Sequence, residues 1–323
     1  MTFKANWEKT DQLYNLAPTV IEAMVNLAFP NKKLTSYKII SGGCANLNII
    51  INLETEEQPV LLRVYLRDND AAYREQNLGI LLKKTIPIPQ VYYVGGYDNH
   101  RFAIAEFMFG ITLRDLLLSD QPHDVSAIMY DVGKMLAKIQ TYQFAKSGFF
   151  NNDLSIAKIL SQKDYIEFSN SCLHNATVIE QLGAVLLVKI KPYLNKYQSF
   201  FPDGKEKNLV HADFDPANIL VAKKNGEWKI TAILDWEFSF SGSTLTDVAN
   251  MLRYAHQMPS TFEKSFLEGL NEGGVNLPQD WCITVNMLNL SSLLDCLMRT
   301  EGKQCPNQCA DIRALIQHII GDH

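Results

Sequence analysis

The sequence predicts an α+β protein in which a small β-rich lobe precedes a larger, mainly helical lobe. Residues 1–108 contain mostly short β-branched and aromatic runs, whereas residues 109–323 contain mostly segments with apolar residues at helical spacing. A short hinge from Phe107 to Gly110 separates the two parts. The length of 323 residues and the hydrophobic content of 47% agree with two lobes of ordinary globular composition. We therefore place the lobe boundary between residues 108 and 109.

The first predicted element of the β-rich lobe is a helix that starts with proline. Pro18 suits that position because the N–H it lacks would have no partner in the first helical turn. Two apolar runs around a charged turn predict a hairpin, and the helix after it ends before two prolines. We place the turn between the last two strands at Gly95-Gly96. The predicted elements are the helix Pro18 to Leu27, the strands Lys38 to Ile40, Leu47 to Leu53 and Val60 to Tyr65, the helix Ala71 to Lys84, and the strands Val91 to Val94 and Phe102 to Phe107.

Beyond the hinge, apolar residues recur at helical spacing, and a single strand pair interrupts them. A polar turn that contains Asn225-Gly226 joins the two strands of this pair. The predicted helices are Leu113 to Leu118, Val125 to Tyr142, Val178 to Tyr193, Ile283 to Met298 and others from Leu245 to the end, and the strands are Asn218 to Val221 and Ile230 to Leu234.

Polar side chains lie at one end of this strand pair. Asp213 precedes the first strand, Asn218 begins it, and Asp235 follows the second strand. Because a short hairpin brings its two ends together, the three side chains should converge. Carboxylate and amide oxygens are ligands for Mg²⁺ that is shared with substrate phosphates, and a nearby carboxylate can accept a proton from a hydroxyl. The arrangement predicts phosphoryl transfer, in which catalysis is mostly positioning and charge neutralisation.

The pattern H-x-D-x-x-x-x-N from His211, followed by D-W-E from Asp235, resembles the signature of the aminoglycoside phosphotransferase and choline kinase family. This resemblance implies a protein-kinase-like fold, ATP or GTP as the phosphoryl donor, and Mg²⁺ as cofactor. It implies that Asp213 is the catalytic base and that Asn218 and Asp235 hold the metal. In the same comparison His211 braces the loop, and Asp247 supports it by accepting backbone N–H groups.

The resemblance also implies a nucleotide site in the β-rich lobe. Ser41, Gly42 and Gly43 correspond to a glycine-containing phosphate loop. Arg63, on the second hairpin strand, corresponds to the cation that pairs with the α- and β-phosphates, and Glu75 on the next helix is its expected partner. Glu106 and Met108 belong to the hinge whose backbone would hydrogen-bond adenine.

Acidic residues of the helical lobe are candidates for contact with the acceptor. Residues 1–110 carry 11 Lys plus Arg and 11 Asp plus Glu, whereas residues 111–323 carry 19 and 24, so the net charge of −5 falls on the helical lobe. Such a field favours a cationic small molecule. The candidates are Asp215, Glu237, Asp295 and Glu301. Asp215 could instead touch the metal or start a turn, and Glu237 could approach a second metal or face solvent.

Composition and motifs exclude several other classes of protein. The acidic balance argues against a nucleic-acid partner, which requires a basic surface. We see no run of about 18 apolar residues and no apolar signal-peptide core, so we expect no membrane partner. The six cysteines show no metal-ligand spacing and are expected as free thiols, which agrees with a cytoplasmic enzyme. Monomer and dimer both stay open.

Two alternatives to a small-molecule kinase remain. A non-catalytic nucleotide-binding scaffold of the pseudokinase type is disfavoured because Asp213, Asn218 and Asp235 are all present. A protein kinase is disfavoured because Asp247 follows Asp235 too closely to leave room for an activation loop.

Overall fold

The computed structural model describes residues 3–8, 16–40, 46–54 and 56–321. It has the α+β architecture that the sequence predicts, with a strand-rich part followed by a mainly helical part. The helices are α1 (Pro18–Ala28), α2 (Ala71–Leu82), α3 (Leu113–Leu117), α4 (Val125–Ile139), α5 (Gln162–Cys172), α6 (Ala176–Tyr197), α7 (Leu245–Leu252), α8 (Ser260–Glu272), α9 (Trp281–Met298) and α10 (Pro306–Ile319). The strands are β1 (Leu34–Ile40), β2 (Asn46–Leu53), β3 (Val60–Tyr65), β4 (Val91–Tyr97), β5 (His100–Glu106), β6 (Ile111–Thr112), β7 (Gly148–Phe150), β8 (Ile156–Ile159), β9 (Asn208–Val210), β10 (Ile219–Lys224), β11 (Glu227–Ile233) and β12 (Phe240–Gly242).

The strand-rich part is one antiparallel sheet of five strands in the order β1-β2-β3-β5-β4. Residues on one face of β2 and β3, such as Ile49 and Leu62, pack with Met24 of α1 into a small apolar core. On the other face, Tyr65 packs with Ala72 near the start of α2. The alternation of strand side chains therefore gives β3 one apolar face and leaves the other for polar residues near α2.

The turn between β4 and β5 differs from the prediction. The strand continues through Gly95 and Gly96, and the turn is formed by Asp98 and Asn99, with φ of 48° and 60°. Asp and Asn tolerate the left-handed region that a tight hairpin turn requires. Gly95 is a strand residue for a packing reason, because a Cβ there would lie 2.5 Å from the ring of Tyr93.

The helical part contains two small sheets beside its helices. One has the order β11-β10-β6, and the other has the order β8-β7-β12-β9, with strands of only three or four residues. Helix α6 is interrupted at Gly183, where φ is 72°. Loops at the ends of β9, β10 and β11 meet at one point, which brings the predicted polar residues together.

Helix α9 runs through the core of the helical part. It is long and apolar enough to cross a membrane, and 50% of its 18 residues are buried in the fold. A core helix in a soluble protein has the same length and composition, so this feature is weak evidence for a span. The expected absence of a membrane partner stays a prediction.

Residues 3–8, which we call the N-terminal strap, lie against the helical part. The Phe3 ring is 5.4 Å from the ring of Tyr254 and 6.1 Å from that of Phe262, measured between centroids. The Glu8 carboxylate accepts hydrogen bonds from two backbone N–H groups at the start of α10. The strap therefore contacts the part of the molecule that the sequence assigns to the acceptor. The lobe boundary between residues 108 and 109 stays a prediction.

Candidate active site

A buried carboxylate supports the loop that follows β9. Asp247, in the first turn of α7, accepts hydrogen bonds from the backbone N–H groups of His211 and Ala212, each at 2.9 Å. Ala212 has a φ of 71°, a conformation that is unfavourable for alanine and is held here from both sides. Asn250 completes the support by donating to the Ala212 carbonyl at 2.8 Å. The predicted scaffold role of Asp247 is confirmed.

His211 is fully buried and joins the loop to the end of β11. Its Nε2 lies 2.8 Å from the Leu234 carbonyl, and its Nδ1 accepts the backbone N–H of Asp213 at 3.2 Å. A carbonyl can only accept, so Nε2 carries the proton and the ring is neutral. Burial lowers the pKa of His211, which agrees with the neutral form. The histidine therefore positions Asp213 rather than exchanging protons.

Asp213 and Asn218 lie side by side within the loop. The Asn218 side-chain N–H₂ group donates to the Asp213 carboxylate at 2.8 Å and to the Asp213 carbonyl at 2.9 Å. The Asn218 oxygen is consequently the atom left for another partner. Asp215 shapes the turn, because its carboxylate accepts the Ala217 N–H at 2.7 Å.

Asp235 faces Arg63 across the gap between the sheet and the helical part. Asp235 is in a left-handed conformation, with a φ of 68°, directly after β11. It accepts a hydrogen bond from the Arg63 guanidinium, which also lies 3.6 Å from Glu75 and 3.8 Å from Glu237. Tyr65 donates its hydroxyl proton to Glu75. One arginine thus faces three carboxylates, and Glu75 lies beside it as predicted.

Glu237 is buried, so the prediction that it might face solvent is wrong. It accepts a hydrogen bond from the Asn46 amide at 2.8 Å, and its other oxygen is buried without a hydrogen bond. Burial and the neighbouring Asp235 charge raise the pKa of Glu237 to about 7. Glu237 therefore belongs to the carboxyl groups around Arg63, from which it lies 3.8 Å.

The predicted hinge connects the sheet to the helical part. Glu106 ends β5, and its backbone N–H donates to the Gln90 carbonyl at 2.8 Å. Met108 lies in the following connection, whose Phe109 carbonyl accepts the Thr231 hydroxyl at 3.0 Å. Ser41, Gly42 and Gly43, the predicted phosphate loop, lie outside the described residues.

The acceptor-side carboxylates are paired with cations of the chain. Asp215 accepts a hydrogen bond from Lys4 of the N-terminal strap, and Asp295 lies 2.5 Å from Arg299, the residue that follows α9. Glu301 is exposed in the turn after α9 and joins neither pair. Asp215 and Asp295 are therefore paired carboxylates, and their contact with an acceptor stays a prediction.

Sequence reasoning missed three residues of this site. Tyr65 stands two positions after Arg63 on the same strand, so the strand period places both on one face and would have predicted the contact. Asn46 carries no local signal for its contact with Glu237, which is 191 positions away. Lys4 carries no local signal, because its partners are more than 200 positions away.

Within the described parts of the chain, no three His, Cys, Asp or Glu side chains form a cluster that could hold a metal ion by themselves. A Mg²⁺ ion that is shared with phosphates needs only one or two protein carboxylates, so such a cluster is not required.

The fold is that of the aminoglycoside phosphotransferases. The structure of aminoglycoside phosphotransferase APH(4)-Ia superposes with a TM-score of 0.72 at 19% identity, covering 95% of this chain and 99% of that one. A macrolide 2′-phosphotransferase from Brachybacterium faecium superposes with a TM-score of 0.63 at 15% identity, covering 91% and 98%. These likenesses confirm the predicted kinase-like α+β architecture.

The chain belongs to the phosphotransferase enzyme family, whose sequence model matches residues 36–281. It is also 25% identical, over 171 residues, to hygromycin-B 4-O-kinase of Escherichia coli. That match covers 51% of this chain and 47% of the relative, so the chain spans about half the length of this curated relative. The predicted family is confirmed.

Proposed function

We propose that this protein is an ATP- and Mg²⁺-dependent kinase that transfers the γ-phosphoryl group to a hydroxyl of a small molecule. The observation that carries the proposal is the pairing of Asp213 and Asn218 on a loop that the buried Asp247 holds in place. Membership of the phosphotransferase enzyme family supports the same reaction class.

Asp213 is the proposed catalytic base. Asn218 holds one carboxylate oxygen, while 31% of the Asp213 side chain stays exposed to solvent. The carboxylate can therefore orient an incoming hydroxyl and accept its proton. A positioned general base typically contributes 10²- to 10⁴-fold to the rate.

The residues around Asp235 fit a magnesium ion bound together with the nucleotide. The Asn218 amide donates through its nitrogen, which leaves its oxygen for the metal, and Asp235 is a partly exposed carboxylate. Asp235, Glu75 and Glu237 place three carboxyl groups around the single Arg63 guanidinium, which supports a cation site here. Asn218 and Asp235 would hold the ion, which would supply positive charge beside the phosphate groups.

The nucleotide is proposed to bind between the sheet and the helical part. Arg63, with Glu75 beside it, offers a planar fork of N–H groups to phosphate oxygens. The phosphate loop at Ser41, Gly42 and Gly43 stays part of the proposal. The hinge backbone at Glu106 and Met108 is the proposed adenine contact. GTP in place of ATP stays open.

The acceptor is proposed to be a hydroxyl-bearing small molecule that binds on the helical side, near Asp213. Hygromycin-B 4-O-kinase, by its name, phosphorylates an oxygen of hygromycin B. The net negative charge of the helical lobe favours a cationic acceptor. We also propose that the enzyme is cytoplasmic, monomeric or dimeric, and without a nucleic-acid partner.

Asp213→Asn tests the proposal. ADP release should be measured with Mg²⁺·ATP and a panel of aminoglycosides, sugars and amino alcohols. The variant should lose about 10²- to 10⁴-fold in kcat with unchanged affinity for Mg²⁺·AMP-PNP, because the substitution removes only the base. Asp120→Asn, at an exposed position after α3, is the matched control and should keep full activity. Full activity of Asp213→Asn would refute the assignment. Nucleotide binding without turnover of any acceptor would favour a non-catalytic scaffold.

A further inference from the structure

The N-terminal strap places a lysine in the acceptor side of the site. Lys4 donates a hydrogen bond to the Asp215 carboxylate, and its ammonium lies 3.6 Å from the Asp213 carboxylate. The side chain of Lys4 is only 19% exposed. A cation of the chain therefore lies next to the proposed base, where part of an acceptor would have to bind.

The strap is fixed on both sides of Lys4. On one side, the Phe3 ring is 3% exposed and packs against Tyr254 and Phe262. On the other, the Trp7 indole N–H donates to the Asp311 carboxylate at 2.7 Å, and Glu8 binds the start of α10. Contacts on both sides make Lys4 a built part of the site.

A second cation of the chain lies near Lys4. Arg253 is buried and bonds the neutral side chains of Asn250, Asn289 and Ser292. Its charge acts on Lys4, as do the charges of Asp213 and Asp215. The carboxylates beside Lys4 therefore do not form a purely acidic pocket.

We propose that Lys4 is a specificity-determining residue of the acceptor site, which selects acceptors that present oxygen atoms, uncharged or anionic, beside the hydroxyl to be phosphorylated. This proposal rests on the kinase function proposed above. It narrows the acceptor class and disfavours an ammonium group at this position.

The selectivity follows from the chemistry of the ammonium group. A lysine side chain has three N–H donors and no acceptor, so the donors beyond the one that binds Asp215 can only bind oxygen or another lone pair. A second ammonium would meet a like charge at a site where Asp215 is already neutralised, and like-charge contacts are costly in a half-buried site. A carboxylate or hydroxyl of the acceptor would gain a hydrogen bond instead.

Lys4→Gln tests the proposal, because it removes the charge and keeps a donor. Hygromycin B serves as the cationic probe, glucose as the uncharged one and glucuronic acid as the anionic one. Binding of each probe to the Mg²⁺·AMP-PNP complex is measured by calorimetry, and turnover is measured by ADP release. We expect Lys4→Gln to shift the ratio of affinities for hygromycin B over glucuronic acid about tenfold or more toward hygromycin B. Lys4→Arg should keep the wild-type ratio.

Matched controls separate this role from others. Lys163→Gln, at a side chain that is 79% exposed, should leave the ratio unchanged. Amine acylation followed by mass spectrometry should modify Lys4 more slowly than Lys163, and Asp215→Asn should accelerate the modification of Lys4. Failure of the kinase proposal would appear as absent turnover in the wild-type protein, while the affinity ratio still reports on Lys4.

Three results would overturn the proposal. An equal increase in affinity for all three probes in Lys4→Gln would show that the Lys4 side chain only obstructs the site. An unchanged ratio of affinities between the wild type and Lys4→Gln would exclude a role in selectivity. Acylation of Lys4 at the rate of Lys163 would show that the ion pair does not form in solution.

Discussion

Asp247 is the clearest case of a residue whose environment determines its chemistry. Its carboxyl group, on α7, is fully buried, and burial raises its pKa to about 7. The hydrogen bonds that it accepts from two backbone N–H groups act in the opposite direction and lower the pKa. An aspartic acid side chain in the unfolded chain has a pKa near 3.9. At a pH between the two pKa values, Asp247 keeps its proton in the folded protein and releases it in the unfolded chain.

The free energy of unfolding should therefore depend on pH through the protonation of Asp247. The pKa in the folded state lies above that in the unfolded state, so the stabilisation is complete below about pH 4 and is lost as the pH rises toward 7. The side chain of Asp247→Asn does not titrate. Its NH₂ group is a donor that faces a backbone N–H donor, so one hydrogen bond is lost and the variant should be less stable than the wild type by about 1–3 kcal/mol.

The difference in unfolding free energy between the wild type and Asp247→Asn should shrink between pH 5 and pH 7. Urea unfolding at three pH values measures it. Asp120→Asn, an exposed substitution, should show a constant difference near zero over the same range. A difference for Asp247→Asn that does not change with pH would contradict the raised pKa.

At the scale of elements, helices α4 and α8 approach each other through two glycines. A Cβ at Gly133 would lie 2.1 Å from the Phe266 carbonyl oxygen, and one at Gly269 would lie 2.1 Å from the Tyr130 carbonyl oxygen. Backbone atoms cannot move aside as a flexible side chain can, so each glycine sets the distance between the helix axes.

Gly133→Ala should therefore lower the unfolding free energy by about 1–3 kcal/mol or more, because the added methyl forces the helices apart. Gly79→Ala is the matched control in α2, where the nearest atom to a Cβ is 3.5 Å away. That substitution should be neutral or stabilising, since alanine favours a helix by about 1 kcal/mol over glycine. Chemical denaturation of both variants measures the contrast, and equal stability changes would refute the close approach.

Elements with a strong period were predictable, and those defined by distant contacts were not. Helix α2 and the hairpin β2–β3 lie where the apolar pattern places them. Strands β7, β9 and β12 have only three residues each, too few to show a period of two, and exist because they pair with one another. The turn at Asp98-Asn99 was missed because glycines are the stronger turn signal, although here packing against Tyr93 requires Gly95.

The candidate site shows the same division at the scale of the whole molecule. The motif predicted that Asp213 and Asn218 lie together, and family resemblance predicted Arg63 beside Glu75. Lys4 could not be predicted, since only the folded chain brings the strap to Asp215. The net negative charge of the helical lobe likewise does not indicate which of its carboxylates form ion pairs with lysine or arginine side chains.

The strand-rich and helical parts meet at a polar cluster to which each contributes. Arg63 and Glu75 come from the sheet and its helix, whereas Asp235 and Glu237 follow β11 in the helical part. The Arg63–Asp235 contact therefore joins the two parts. In the proposed function the same two residues bind the nucleotide phosphates and Mg²⁺, so nucleotide binding and the contact between the parts should be coupled.

This coupling predicts that the rise in melting temperature caused by ligand binding differs between variants. A ligand that binds only the folded protein stabilises it by RT ln(1 + [L]/Kd), or about 2.7 kcal/mol at a concentration of 100 Kd. AMP-PNP should raise the melting temperature of the wild type further when Mg²⁺ is added. Asp235→Asn should lose the Mg²⁺-dependent increment, because it removes the charge of the proposed metal ligand. It also removes the ion pair with Arg63, whose other neighbours are Glu75 and Glu237, so the increment is measured relative to the ligand-free melting temperature of the same variant. Asp213→Asn should keep the increment in full, since the proposed base does not hold the metal. A full Mg²⁺-dependent increment in Asp235→Asn would show that the metal binds elsewhere, whereas its loss in both variants would show that the two carboxylates form one metal site.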